Sequence, residues 1–170
     1  IAGIFVQAGF GDQETFEQTF RQTERIRSLD PLAENLEGYL FPETYTFARA
    51  IAAEKIFAEL FATWQRKILQ ATRRGRGPLT LDDQRLTTLA SIVEKETGAP
   101  EERGRIACVF YNRLKAKPMW RLQTDPTVIY AAMLEDPKSF EGNLTREHLR
   151  KLESPYNTYR VYGMPPGPIA

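Results

Sequence analysis

The chain has 170 residues, 42% hydrophobic and 26% charged, the profile of a folded globular protein rather than a disordered or fibrous one. Its 23 Lys and Arg against 22 Asp and Glu leave a net charge of +1, which offers no electrostatic footprint for nucleic acid. A single cysteine, Cys108, and a single histidine, His148, leave no basis for an internal disulfide or a Cys/His zinc site and nearly exclude catalytic dyads built on either, and no run of about 18 apolar residues is present to span a membrane. The opening Ile1-Ala2-Gly3-Ile4 starts in mid-pattern, and Met164-Pro165-Pro166-Gly167-Pro168-Ile169-Ala170 stops inside a rigid turn, so the chain reads as a piece of a longer protein.

In chain order, the first ten residues suggest a short helix closing at Gly9, and Asp12 is placed to cap a second helix carrying Phe16 and Phe20. Pro31 and the aromatic-rich stretch 36–47, with Gly38 and Pro42, break that rhythm and read as strand or extended loop. From residue 50 to about 73 the 3.6 period returns, with Ala53, Ile56, Phe57, Leu60, Phe61, Trp64 and Ile68 on one stripe, before a run of Arg, Gly and Pro ends it. Asp82 and Asp83 open a helix to about Thr97, and Pro100 starts another to about Lys115. Asp125-Pro126 signals a third as an N-cap followed by a first-turn proline, and 145–152 a fourth. Beyond Pro155, tyrosines and prolines indicate extended or turn structure. These elements predict an α+β fold: a mostly helical domain with a small antiparallel sheet.

The chemistry concentrates in the 86–97 helix. At about 100° per residue from Leu86, Glu96 falls near 280°, between Ile92 near 240° and Leu89 near 300°, whereas Glu94 falls near 80° at the edge of the apolar arc. A carboxyl among apolar side chains has its charged form disfavoured, the property a general acid near neutral pH requires. The competing reading is that Glu96, so near the helix end, already lies clear of the core. On the next helix, Ile106, Val109 and Phe110 define an inward arc that also contains Arg113, so two adjacent helices each aim a charge inward. An Arg113–Glu96 pair of purely structural purpose fits the same placement, and its loss would cost about 3–5 kcal/mol. Downstream, 121–127 and 156–159 set amides and hydroxyls between aromatic rings, a combination suited to a sugar. Read singly, Asp125 is a helix cap, Tyr159 a core residue and His148 a surface residue without a role.

Taken together, Leu36-Glu37-Gly38-Tyr39-Leu40-Phe41-Pro42-Glu43-Thr44-Tyr45, Leu89-Ala90-Ser91-Ile92-Val93-Glu94-Lys95-Glu96-Thr97, Val109-Phe110-Tyr111-Asn112-Arg113-Leu114, Leu122-Gln123-Thr124-Asp125-Pro126-Thr127-Val128-Ile129-Tyr130, Tyr156-Asn157-Thr158-Tyr159 and Pro165-Pro166-Gly167-Pro168-Ile169 resemble, in this order, the YceG-like (MltG) family of endolytic murein transglycosylases. The resemblance covers residues 36–170 and implies a catalytic region there with a lysozyme-like groove, 1–35 being a helical lead-in. It implies cleavage between N-acetylmuramic acid and N-acetylglucosamine without water, giving 1,6-anhydro ends. The family's acid falls on Glu96, which the helical wheel selects independently. Gln123, Thr124, Asn157 and Tyr159 are carried over as substrate contacts, and Arg113 joins them from the wheel. No cofactor and no metal are implied. The implied partners are peptidoglycan glycan strands and peptidoglycan synthases. A parent anchored in the cytoplasmic membrane by a single span, with this region extracytoplasmic or periplasmic and soluble by itself, is implied likewise, as is a truncation after the Pro-Pro-Gly-Pro-Ile turn.

Two other readings stay open. A hydrolytic muramidase needs a second carboxylate to position water, for which Glu37, Glu43 and Asp125 are available. A peptidoglycan-binding or scaffolding module would use the aromatic and amide positions but not Glu96. Glu94 is expected to help or to serve structure.

Overall fold

The computed structural model describes residues 2–73, 75–138 and 140–169. The chain forms two compact units, Ile1–Gly75 and Arg76–Ala170.

The first unit carries α1 (Ala2–Gln7), α2 (Gln13–Phe20) and α3 (Ala53–Thr72). Asp12 caps α2 as expected, its carboxylate accepting the Thr15 N–H at 2.9 Å. The α3 stripe is buried from Ala53 to Trp64, and Ile68 packs at its margin. It meets Phe16, Ile26, Leu36 and Tyr39 in one core, where Trp64 stacks on Phe61 at 5.6 Å and meets Tyr39 edge-on at 5.2 Å.

The α+β expectation is overturned. Among the described residues there is no strand or sheet, and the only β-type pairing is an isolated parallel bridge between Arg121 and Gly163. A strand needs a neighbouring strand to satisfy its backbone, and residues 36–47 find helical chain instead. The Leu36 N–H donates to the Phe20 carbonyl at 2.9 Å and the Phe41 N–H to the Leu60 carbonyl at 3.3 Å. The aromatic residues that raised the β-propensity are used in helix packing, with the Tyr39 hydroxyl donating to buried Asp30 at 2.7 Å. The lysozyme-like groove expected together with the sheet is not seen among the described residues either.

The second unit is built from α4 (Asp83–Glu96), a 3-10 turn (Pro100–Glu102), α5 (Arg103–Lys115), α6 (Asp125–Glu135) and α7 (Arg146–Lys151). Helix α4 packs against α5 and α6, and α6 against α7. Leu81, Leu89, Ile92, Val93, Phe110, Leu122 and Ile169 form its main core, while Val128, Ala131, Ala132 and Leu152 form a smaller one. Tyr156 packs on both. Val109, expected to face inward, is 43% exposed. The proline-rich end is fastened to α4: the Ile169 N–H donates to the Ser91 hydroxyl at 2.9 Å, and the Gln84 amide donates to the Pro166 carbonyl. Gly77 sits at φ +76°, a conformation that favours glycine, and a Cβ there would lie 2.7 Å from the Tyr111 hydroxyl, which would have to move.

Candidate active site

Glu96 is the last residue of α4; the chain becomes extended at Thr97 and is followed by Gly98. The wheel placed it on the side of α4 that buries Leu89, Ile92 and Val93, but the helix has run past the core by this turn and Glu96 is exposed. The expectation of a carboxyl enclosed by apolar side chains is therefore corrected. What distinguishes Glu96 is a polar contact from below: the buried Thr124 hydroxyl donates to its Oε2 at 2.7 Å. Among the described residues Oε1 receives no hydrogen bond, so one oxygen is held and the other is open.

Thr124 occupies the N-cap of α6, one residue before the Asp125 position expected from sequence. A threonine there normally accepts a hydrogen bond from the first turn of its own helix. Thr124 makes no such bond and turns its hydroxyl to Glu96 instead. The backbone around it is fixed by two fully buried threonines. The Thr158 hydroxyl accepts the Thr124 N–H at 3.1 Å, the Thr127 hydroxyl donates to the Thr124 carbonyl at 2.8 Å, and the two hydroxyls lie 2.8 Å apart. This hydroxyl network was not anticipated, although the spacing of Thr124 and Thr127 is the one at which a threonine bonds back to a carbonyl.

Gln123 donates its N–H to the Thr158 carbonyl at 3.1 Å, and its exposed side chain rises from a backbone at φ +49°. Such a left-handed conformation costs a non-glycine residue about 1–2 kcal/mol and is retained where the surroundings impose it. Asp125, freed from capping, accepts the Tyr159 hydroxyl at 2.6 Å. Burial, then the hydrogen bond and charge of Asp125, then the charge of Glu96, push the Tyr159 hydroxyl up to about 12, while Arg113 opposes the shift. Glu96, Asp125 and Arg113 thus all lie within electrostatic reach of one phenol.

The other candidates serve this frame from inside. Asn157 is fully buried, with Nδ2 donating to the carbonyls of His148 at 3.2 Å, Leu149 at 3.3 Å and Leu152 at 2.9 Å. Its Oδ1 accepts the Tyr159 N–H at 3.1 Å, so it closes the end of α7 and sets the turn that presents Tyr159. Arg113 does not form the structural pair with Glu96 considered from sequence; its guanidinium donates to the Leu122 carbonyl and anchors the segment leading to Thr124. Glu94 points elsewhere, to Arg103 at 2.7 Å, with both side chains solvated. Among the described residues no group of three His, Cys, Asp or Glu comes together to hold a metal ion. The arrangement is a solvent-facing carboxyl on a rigid buried support, flanked by an exposed amide and a tyrosine, suited to proton transfer on a polar ligand.

Comparison with known proteins supplies the lineage. A family model described as the YceG-like family matches residues 4–170. A protein of Bacillus subtilis named endolytic murein transglycosylase is 37% identical over 79% of this chain, and one of the same name from Streptococcus pneumoniae is 35% identical over 79%. The matches span 35% and 24% of those two relatives, so this chain corresponds to only part of each. A crystal structure of a yceG-like protein from Listeria monocytogenes superposes with a TM-score of 0.71 at 32% identity, covering 94% of this chain and 55% of that one. Since the family match includes every segment that builds the Glu96–Thr124 site, the chain belongs to the YceG-like family.

Proposed function

We propose that the chain carries the catalytic machinery of a lytic transglycosylase that cuts peptidoglycan glycan strands internally, with Glu96 as acid and then base. Protonated Glu96 gives its proton to the glycosidic oxygen between N-acetylmuramic acid and N-acetylglucosamine, and an oxocarbenium-like centre develops as the C1–O bond breaks. The resulting carboxylate takes the proton of the muramoyl 6-hydroxyl, whose oxygen bonds to C1. Glu96 ends protonated as it began, no water is consumed, and the product ends in a 1,6-anhydro sugar. The observation that carries this reading is a single solvent-facing carboxyl with one oxygen held by Thr124 and the other open. The Bacillus and Streptococcus relatives named endolytic murein transglycosylase support it.

In this reading Gln123 and Tyr159 contact the glycan, while Thr124, Asn157 and Arg113 position the groups that do. A hydrolase would need a second carboxylate for water, and of the three available Asp125 is engaged by Tyr159, Glu43 by Lys67 at 3.3 Å, and Glu37 is not free either. The catalytic region is taken as 36–170, with Glu96 and its neighbours in the Arg76–Ala170 unit. No helix among the described residues is long and apolar enough to cross a membrane; an extracytoplasmic setting next to a membrane anchor, with peptidoglycan synthases as partners, is part of this reading. Mass spectrometry of uncrosslinked glycan strands incubated with the chain and with its Glu96→Gln variant tests the reaction. Anhydro-ended products are expected from the first and not the second; reducing ends would redirect the reading to hydrolysis, and products that survive the substitution would remove Glu96 from the chemistry.

A further inference from the structure

Beside Tyr159 lies a cavity of about 450 Å³ that the proposed chemistry does not use, lined by Arg146, Leu149, Arg150, Tyr159 and Arg160. Arg160 builds its wall: Nη1 donates to the carbonyls of Arg150 at 3.1 Å and Lys151 at 2.9 Å at the end of α7, and Nη2 reaches Glu153 at 3.4 Å. Arg146 and Arg150 are different. Both are exposed, and among the described residues neither has an acidic partner, although Lys151 on the same helix pairs with Glu147 at 2.7 Å. Arg146 is placed unfavourably for the helix itself, since it sets a cation at the positive N-terminal end of α7 and lies four residues from the like-charged Arg150, which sits in the last turn. Two guanidinium groups without acidic partners give this cavity a positive face that an anion can neutralise. The cavity is joined to the reaction centre through Tyr159, whose hydroxyl is bonded to Asp125 next to Thr124 and Glu96.

We infer that this cavity is an anion site that takes the carboxylates of the peptide stems borne by the muramic acid units of a glycan strand, an inference that rests on the peptidoglycan reading above. Guanidinium groups bind carboxylates with paired, charge-assisted hydrogen bonds, and Leu149 with the Tyr159 ring supplies an apolar wall for the stem's short side chains. A stem of three residues reaches roughly 10 Å from its sugar when extended, so a strand seated at Glu96 can place stem carboxylates in a neighbouring cavity. Stems would thereby fix the register of the strand against the acid.

Isothermal titration in the Glu96→Gln background, which prevents cleavage, tests this with two probes: uncrosslinked strands bearing stems, and the same strands stripped by an amidase. Stems should tighten binding about tenfold, and the double substitution Arg146→Gln and Arg150→Gln should remove that gain while leaving the stripped strands within about twofold. Equal affinity for both strands, a gain that survives the double substitution, or an equal loss on both strands overturns the site, as does the absence of binding to either. Stripped strands ending in a pyrophosphate that bind as tightly as stem-bearing ones would also overturn it, by moving the anion from carboxylate to phosphate. Stem-dependent binding without anhydro-ended products would sink the transglycosylase reading and leave the anion site standing; anhydro-ended products without stem dependence would do the reverse.

Discussion

Thr124→Val isolates the one interaction that sets Glu96 apart. Valine keeps the shape of threonine and suits the extended backbone of residue 124, at φ −114° and ψ 125°. The hydrogen bonds through the Thr124 N–H and carbonyl remain, and no cap is lost because the hydroxyl makes none. Only the 2.7 Å bond to Glu96 Oε2 disappears. A hydrogen bond to a charged group contributes about 1.5–3 kcal/mol, and the lower end applies because water replaces the hydroxyl at an exposed carboxylate. Turnover on glycan strands should therefore fall about tenfold, since 1.36 kcal/mol corresponds to that factor, and the unfolding free energy should fall by about 1.5 kcal/mol or less. Release of anhydro-ended products followed by mass spectrometry, alongside urea denaturation, measures both, and Thr124→Ser should restore most of the rate by returning the hydroxyl. Turnover within about twofold of the unsubstituted chain would refute the positioning role, and so would a Thr124→Ser rate no better than that of Thr124→Val.

Asn157→Ala strands buried carbonyls at the end of α7, so urea denaturation should show about 2–3 kcal/mol of lost stability; a near-neutral result would contradict the buried role of its amide. Tyr159→Phe acts on the alkaline side. The Tyr159 hydroxyl is harder to ionise in the folded chain, where it is pushed up from 10.0 to about 12, so its contribution is full below about pH 10 and is lost as the pH rises toward 12. Unfolding free energy measured across that window should fall more steeply for the unsubstituted chain than for the phenylalanine variant; parallel curves would refute the assignment. Gln123→Gly should be more stable than Gln123→Ala by about 1 kcal/mol, because both lack the side chain and only glycine accepts φ +49° without strain. Thermal melting of the pair decides it. Glu94→Gln removes only a solvated pair with Arg103, worth about 0–1 kcal/mol, and should leave turnover within about threefold; a loss matching Glu96→Gln would show that both carboxyls take part.

The helices were legible because their signals are local. The Asp12 cap, the 3.6-residue stripe of α3 and the proline at the start of α6 act over a few residues and hold wherever the segment sits. Glu96 was likewise legible as a residue on the core side of its helix, because periodicity reports direction. Its exposure was not, because periodicity does not say how far along a helix the core extends, and α4 outlasts its core by one turn. The missing sheet has the same origin: aromatic and β-branched residues in 36–47 report a need for packing, and the partner that met it was α3 rather than another strand.

Residue chemistry and spacing alone therefore left no Cys/His set for zinc and no basic footprint for nucleic acid, placed the helices and singled out Glu96. What Glu96 rests on was decided by tertiary structure. Thr124, Thr127 and Thr158 meet across about 34 residues of chain, and Asp125 meets Tyr159 across the same distance, so neither contact leaves a periodic trace in the sequence. A hydroxyl can cap its own helix or reach another element, and only the packing of α4 against α6 turned the one on Thr124 toward Glu96.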